Sequence, residues 1–197
     1  ATSGNGYAGA IDSSGNSQIW GRITTAGAYG MKTNTSGTVQ WNRLLSSNNT
    51  DGVYAAVTDQ SSGDTYVAGL QGTSNLTSIA KIATGGTLTW QRTLNSTSSA
   101  FITSITVDSS SNIYAVIGTN YIVKYNSSGT IQWQRQFTIG TGSMNLTGIT
   151  VDNLGALYVI GYNSANDMFV AKLPTDGTKT GTYTVGSTSY TYAASSL

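Results

Sequence analysis

A fourfold internal repeat is the feature that most constrains the fold of this chain. Lysines recur at intervals of 49, 43 and 48 residues, and in the first three copies a tryptophan follows nine residues later: Lys32, Lys81, Lys124 and Lys172, with Trp41, Trp90 and Trp133. Repeats of this length are typical of stacked or radial arrays of one supersecondary unit. We predict a single domain over residues 1–197 with repeats at about 6–50, 51–99, 100–143 and 144–186 and an extra strand over 187–197.

The third repeat shows the content of one unit most clearly. Between Ser104 and Phe137 it reads SITVD, NIYAVIG, YIVKYN and TIQWQRQF, separated by short segments of Ser, Asn and Gly. Apolar residues that alternate between such turn signals predict short antiparallel strands joined by tight hairpins. The sequence therefore predicts an all-β protein with about sixteen strands, arranged as a β-propeller of about four four-stranded blades.

Composition excludes several classes of partner. The net charge is +1 and no Lys or Arg cluster occurs, so we expect no nucleic-acid binding. No apolar run approaches the length of a membrane helix, so we expect no membrane insertion. The chain has no cysteine, which leaves neither a disulfide framework nor a thiolate site.

A resemblance to a known family rests on the third repeat. VDSSSNIYAVIG followed by VKYNSSGTIQWQR resembles the SBBP-type β-propeller repeat of bacterial surface proteins and bacteriophage structural proteins, and the likeness extends over about residues 6–186. The fourth copy departs from the pattern, because Gly181 and Tyr183 stand where the Gln-Trp pair is expected. The resemblance implies a propeller fold and an extracellular location, on a virion or a bacterial cell surface, and it implies no reaction.

The last residues of the chain predict one further strand. TSYTYAASS, at about Tyr190–Ser196, is similar to VYAAVTD at Val53–Asp59, the innermost strand of the second repeat. Either this strand completes the first blade and closes the ring, or the chain belongs to a longer propeller. We expect closure, because an exposed inner edge would favour aggregation.

The residue types available argue against catalysis. The chain has no His, Cys or Glu, which removes the usual general bases, thiol nucleophiles and soft-metal ligands. Four of its eight aspartates recur at one repeat position and are expected to cap turns or pair with basic neighbours, namely Asp12, Asp59, Asp108 and Asp152. The others do not form a recognisable carboxylate pair. We therefore predict no enzyme activity, no metal and no cofactor.

The repeated tryptophans allow two interpretations. Flat aromatic faces can stack on sugar rings, but burying one such ring between blades removes about 150–250 Å² from water. Because the rest of each unit is built largely from small polar residues, we expect these rings to pack between blades.

Three functions follow from these observations. The first is a non-catalytic structural module of a phage tail, tail fibre or capsid, or of a cell surface, which displays loops for attachment to a host or to other virion or surface proteins. The second is a lectin-like propeller or adhesin that binds a cell-surface glycan, and the third is a polysaccharide-acting enzyme. Assembly into oligomers is compatible with the first two.

Loop variation predicts where a partner binds. The recurring glycine of the second strand and the next recurring lysine are 11, 12, 6 and 11 residues apart, counted from Gly21, Gly69, Gly118 and Gly161. The turns at the opposite end of the strands, between first and second and between third and fourth strands, stay short. Loops on a rigid scaffold are a common place for recognition. The predicted ligand-facing or partner-facing residues are Asn48, Asn49, Asp51, Gln71, Asn75, Tyr162, Asn166 and Asp167.

Overall fold

The described part of the chain consists of strands and turns. A computed structural model describes residues 3–46, 51–71, 76–94, 101–140 and 142–196, and within these ranges it contains seventeen β strands and no helix. The strands form four antiparallel sheets, which confirms the all-β prediction. None of these residues forms a helix long and apolar enough to cross a membrane. The chain divides into two compact units, residues 1–102 and 103–197, while the single-domain interpretation stays a prediction.

The first unit contains two sheets of four sequential strands. Sheet 1 consists of β1 (Gly4–Ile11), β2 (Ser17–Ile23), β3 (Gly27–Thr33) and β4 (Val39–Leu44). Sheet 2 consists of β5 (Gly52–Thr58), β6 (Thr65–Gln71), β7 (Leu76–Ile82) and β8 (Leu88–Leu94). In both sheets each strand pairs with the next one along the chain, as the hairpin signals predict.

The second unit departs from this regular pattern. Sheet 3 begins with β9 (Ile102–Val107), β10 (Ile113–Ile117), β11 (Tyr121–Tyr125) and β12 (Ile131–Ile139). Sheet 4 has three strands, β13 (Met144–Val151), β14 (Ala156–Asn163) and β15 (Met168–Pro174). The last two strands, β16 (Gly181–Val185) and β17 (Thr188–Ala194), form a hairpin that adds to the β12 edge of sheet 3 and makes that sheet six-stranded.

Two predictions about the end of the chain are therefore wrong. The segment around Tyr183 is not the fourth strand of sheet 4, because it pairs with β17. The terminal strand does not complete sheet 1 either, because β17 pairs with β12 and β16. Aromatic packing explains this choice: Tyr192 on β17 is fully buried, with its ring centroid 4.8 Å from that of Phe137 on β12.

In sheets 1, 2 and 4 the recurring glycine of the second strand faces a bulge in the first strand. Register shifts lie between Gly6 and Ala8 in β1, and corresponding shifts occur in β5 and β13. A β carbon on the glycine opposite would lie 1.9, 1.8 or 2.3 Å from a backbone carbonyl oxygen, as shown by Gly21 against Asn5, Gly69 against Gly52 and Gly161 against Asn145. The bulge brings the two backbones together, so this position excludes any side chain.

Trp41 packs between the two sheets of the first unit. Trp41 is 8% exposed and its ring lies against Trp20, and its indole N–H donates to the carbonyl oxygen of Thr84, in the turn between β7 and β8, at 3.0 Å. Arg43 donates to the carbonyl oxygen of Gly86 at 3.1 Å. The same two hydrogen bonds recur in the second unit. Trp133 donates to the carbonyl oxygen of Thr175 at 3.1 Å, and Arg135 donates to that of Gly177 at 2.9 Å. These contacts confirm the packing role of the two tryptophans.

The third and fourth strands of sheets 1, 2 and 3 share one register. In sheets 1, 2 and 3 the recurring lysine lies directly opposite the recurring tryptophan, in the pairs Lys32 with Trp41, Lys81 with Trp90 and Lys124 with Trp133. A β irregularity follows the lysine in all three sheets, which shows that the copies share local geometry as well as sequence.

Candidate partner-binding groove

The repeated aspartates stabilise the tight turns between the first and second strands. Each carboxylate accepts a hydrogen bond from the backbone N–H two residues later, at 3.0, 2.9, 2.9 and 3.0 Å for Asp12, Asp59, Asp108 and Asp152. Asparagines do the same in turns between third and fourth strands, as Asn34 and Asn126 show. The capping prediction is confirmed, and these carboxylates are engaged in local structure.

One turn aspartate forms a buried ion pair. Asp12 Oδ2 lies 2.8 Å from Lys32 Nζ, and the two side chains are 7% and 5% exposed. Burial alone would raise the pKa of Asp12, but hydrogen bonds from Lys32 and Asn16 outweigh it and lower that pKa to about 2. The folded state therefore favours the ionised carboxylate.

This ion pair predicts how stability responds to acid. Because the pKa of Asp12 is lower in the folded chain, its contribution is present above about pH 4 and disappears as the pH falls towards 2. We expect about 2 kcal/mol of the unfolding free energy to be lost across this window. Urea unfolding at several pH values checks this. In Asp12→Asn the pH dependence between 4 and 2 should be weaker, and an unchanged dependence would contradict the assignment.

The remaining aspartates lie apart. Asp64 pairs with Lys81 at 2.9 Å, and Asp176 accepts a hydrogen bond from the N–H of Thr178 at 3.0 Å. Among the described residues no three His, Cys, Asp or Glu side chains lie close enough to hold a metal ion. The absence of enzyme activity stays a prediction.

The predicted contact residues fall into different environments. Asn48, Asn49 and Asn75 lie outside the described residues, as does the side chain of Gln71. Asp51 is 2% exposed and accepts a hydrogen bond from the hydroxyl of Ser46, beside a cavity of about 30 Å³ that is large enough for a water but not for a sugar ring. The Asp51 carboxylate is thus not presented on the surface.

The other three predicted residues lie together at one end of sheet 4. Tyr162 is 39% exposed at the end of β14, and Asn166 and Asp167 follow in the exposed turn to β15. Asn163 organises this turn: its Oδ1 accepts the N–H groups of Ala165 and Asp167, both at 2.9 Å. Its Nδ2 donates to Asp167 Oδ2 at 3.1 Å.

Asn166 has a special backbone conformation. Its φ angle is 64°, in the left-handed region that asparagine and glycine adopt more readily than other residues. The side chain therefore projects from a turn whose shape depends on the residue type.

This turn forms one wall of a polar groove of about 520 Å³ in the second unit. The groove is lined by the end of β12, by the turn after β14 and by the turn of the terminal hairpin, namely Ile139, Gly140, Asn163, Ser164, Ala165, Asp167, Ser187, Thr188 and Ser189. We call it the polar groove. Its serine, threonine and amide groups can donate and accept hydrogen bonds, and among the described lining residues only Asp167 supplies a carboxylate. Such a lining suits a neutral polar or weakly basic partner.

Sequence reasoning missed a row of aromatic rings in the first unit. The centroids of Tyr7 and Tyr54 are 4.8 Å apart, and those of Tyr54 and Phe101 are 6.2 Å apart. Tyr7 and Phe101 are 43% and 46% exposed, and both tyrosines occupy the bulged positions of their strands. The sequence does contain a feature that relates the two tyrosines, because each precedes the turn aspartate of its repeat, Asp12 or Asp59, by five residues.

Comparisons with known proteins identify similar folds at low sequence identity. No protein-family model matches the sequence, and no curated protein matches it. A protein of unknown function from Bacteroides caccae is 9% identical, with a TM-score of 0.58 over 94% of this chain and 69% of that one. Hydrazine synthase from Kuenenia stuttgartiensis is 13% identical, with a TM-score of 0.64 over 85% of this chain and 58% of that one.

A third similar structure is an extracellular bacterial domain. The extracellular domain of a one-component system from B. thetaiotaomicron is 10% identical, with a TM-score of 0.53 over 84% of this chain and 21% of that one. At these identities the likeness extends to the fold alone. The neighbours thus include an enzyme, an extracellular domain and a protein of unknown function on one all-β architecture.

Proposed function

We propose that the chain is a non-catalytic structural module of a bacteriophage particle or a bacterial surface, built as a β-propeller whose loops attach to a host or to a partner protein. The observation that carries this proposal is the convergence of three connections on the polar groove. Two of them, the turn after β14 and the connection after β12, lie at the end of the strands where the connections between second and third strands vary in length. The third is the turn of the terminal hairpin, which has no counterpart in the described parts of the other repeats.

Two further observations support the proposal. The turn carboxylates Asp12, Asp59, Asp108 and Asp152 accept backbone hydrogen bonds, so their chemistry is used for structure. The similarity to an extracellular bacterial domain agrees with a surface location, as does the repeat resemblance.

A carbohydrate-binding module is the second candidate, and the aromatic row favours it. This row consists of neighbouring, partly exposed rings in the first unit, those of Tyr7, Tyr54 and Phe101. Rings of this kind can stack on sugar faces. None of the described residues that line the polar groove is aromatic, so a protein partner is the better match for that surface.

A double substitution in the turn after β14 tests the main proposal. We expect Asn166→Gly with Asp167→Ala to weaken attachment of the fluorescently labelled chain to host cells at least tenfold. The glycine keeps the left-handed backbone at this position, so the unfolding free energy should change by no more than about 0.5 kcal/mol. Binding to a panel of bacterial strains by flow cytometry, together with a glycan array, gives the measurement.

The matched control lies at the opposite end of the same sheet. Asn153→Ala with Leu154→Ala alters the tight turn between β13 and β14, where Leu154 is 86% exposed, and should leave attachment unchanged. If only the control variant lost attachment, the choice of surface would be wrong. Glycan binding that depends on Tyr7 would favour the carbohydrate-binding alternative. Polysaccharide hydrolysis that a single aspartate substitution abolishes would overturn the non-catalytic proposal.

A further inference from the structure

One strand edge in the second unit differs from its three counterparts. The third strands β3, β7 and β11 each pair with a fourth strand that carries a tryptophan opposite the recurring lysine. Their counterpart β15 carries Lys172 but pairs with β14 alone among the described strands. The segment expected to provide its partner, around Tyr183, belongs to the terminal hairpin instead.

In sheets 2 and 3 the recurring lysine belongs to a stack of aromatic and cationic side chains, part of which is missing among the described residues at the β15 edge. In sheet 3, Lys124 lies 5.2 Å from the ring centroid of Tyr114, Tyr114 lies 6.0 Å from Trp133, and Arg135 lies 5.6 Å from that indole. Sheet 2 has the same four-membered stack at 5.6, 6.0 and 5.4 Å, formed by Lys81, Tyr66, Trp90 and Arg92.

Sheet 4 contains the first half of this stack. Lys172 lies 5.3 Å from the ring centroid of Tyr158, and the register pairs the two residues as in sheets 2 and 3. The second half, a tryptophan and an arginine two residues later, comes from the fourth strand in both complete sheets. The chemistry of sheet 4 therefore matches a strand that brings these two side chains.

Exposed apolar side chains along β15 also indicate that a neighbouring strand is missing from this edge. Val170 is 70% exposed and Met168 is 90% exposed, although both are large apolar residues. The residues at the position of Val170 in sheets 2 and 3, Ile79 and Ile122, are 1% and 0% exposed. Exposed apolar side chains on an open strand edge are typical of a surface on which another strand can pair.

A groove runs beside the same edge. It has a volume of about 410 Å³, with β15 on one side and the terminal hairpin on the other. Phe169 and Ala171 line it and pack towards the core of the unit, and Tyr183, Tyr190 and Val185 line it from the hairpin side. Successive side chains of a strand alternate between faces, so a strand added to β15 would place every second side chain in this groove.

We propose that the edge of β15 binds an extended segment of a partner polypeptide as a fourth antiparallel strand, with a tryptophan opposite Lys172 and an arginine opposite Val170. The register follows from the complete sheets, where Ile79 pairs with Arg92 and Ile122 pairs with Arg135. Main-chain hydrogen bonds would supply affinity, and the Trp-x-Arg pair would supply specificity and register. This surface is distinct from the polar groove, so the two proposals fail independently.

The chain itself provides the probe for a test. A synthetic peptide with the sequence of residues 130–137, TIQWQRQF, carries the required Trp-x-Arg pattern. We expect it to bind the intact chain and to slow hydrogen exchange of the amides in residues 168–174, as measured by mass spectrometry. A peptide with alanine in place of tryptophan should bind at least tenfold more weakly by fluorescence anisotropy.

A charge exchange tests the register. Val170→Lys places a like charge opposite the peptide arginine and should weaken binding about three- to fivefold, whereas Val170→Glu should strengthen it by a similar factor. A peptide with glutamate in place of arginine should reverse both effects. The control variant is Ile19→Lys, which changes another exposed apolar residue, 53% exposed on β2, and should leave binding unchanged.

Each contrary outcome overturns the proposal. Absence of peptide binding would show that this edge does not accept such a strand. Binding that ignores the charge at residue 170, or protection confined to other strands, would show adhesion to another apolar surface. If sedimentation shows that the chain associates with itself and Val170→Lys abolishes this association, the occupant of the edge is a second copy.

Discussion

Replacing Gly21 by alanine is expected to lower the unfolding free energy of the chain by about 3 kcal/mol or more. The new β carbon would lie 1.9 Å from the carbonyl oxygen of Asn5 and 2.9 Å from the α carbon of Gly6. Both are backbone atoms held by the register of the β1–β2 pair, so neither can move aside as a side chain could. The two strands would have to separate or the bulge would have to shift. Urea unfolding followed by circular dichroism measures the loss.

A second glycine in the same strand pair provides the control. A β carbon at Gly9 has its nearest neighbour, the carbonyl oxygen of Gln18, at an ordinary 3.7 Å. Gly9→Ala should therefore be neutral or slightly stabilising, because alanine loses less chain entropy than glycine in a strand. Equal losses in the two variants would show that the bulge contact does not explain the recurring glycine. Gly69→Ala should reproduce the Gly21 result in sheet 2, where the corresponding distance is 1.8 Å.

Replacing Trp41 by alanine is expected to cost about 3–5 kcal/mol, the range for large aromatic residues in protein cores. The ring is 8% exposed, belongs to the core shared by sheets 1 and 2, and donates its N–H to Thr84. Trp41→Phe keeps most of the apolar contact but removes that hydrogen bond, so it should cost less than the alanine variant. Thermal and urea unfolding of the two variants give the comparison.

Substitution of Gly86, which lies against the indole of Trp41, measures the contribution of this contact separately. A β carbon at Gly86 would lie 2.9 Å from the ring of Trp41, and the φ angle of Gly86 is +87°. Gly37 occupies the same turn position in sheet 1, with φ at +79°, and a β carbon there meets nothing within 4 Å. Gly86→Ala should therefore cost more than Gly37→Ala in the natural background but about the same when Trp41 is alanine. Purely additive effects would contradict the packing explanation.

The strands and the chemistry of their turns were the part of the fold that sequence reasoning predicted well. The strands of the third repeat and the turn role of Asp12 and its counterparts agree with the structure. These features depend on residues close in sequence, where turn chemistry and period-two alternation leave few alternatives. The aromatic row of Tyr7 and Tyr54 was equally accessible from its spacing.

The predicted contact residues occupy different environments, and their role in binding stays a prediction. The turn that holds Asn166 and Asp167 lies on an exposed groove, whereas Asp51 is buried beside Ser46. All three are polar residues in connections between strands, so composition alone does not separate them. Burial depends on which chain segments pass over a loop, and that information is not local.

The amino-acid sequence by itself determined the all-β class, the repeat unit and the chemistry of its turns, because each of these follows from short-range patterns. Only the tertiary structure decided the partner of the last hairpin. GTYTVGSTSYTY alternates like any half-buried hairpin and could pair with several strand edges. The packing of Tyr192 against Phe137 selects β12, and this choice leaves Lys172 and Val170 on an open edge. Contacts between residues more than fifty positions apart depend on how the surfaces of already formed sheets fit together, which no local pattern specifies.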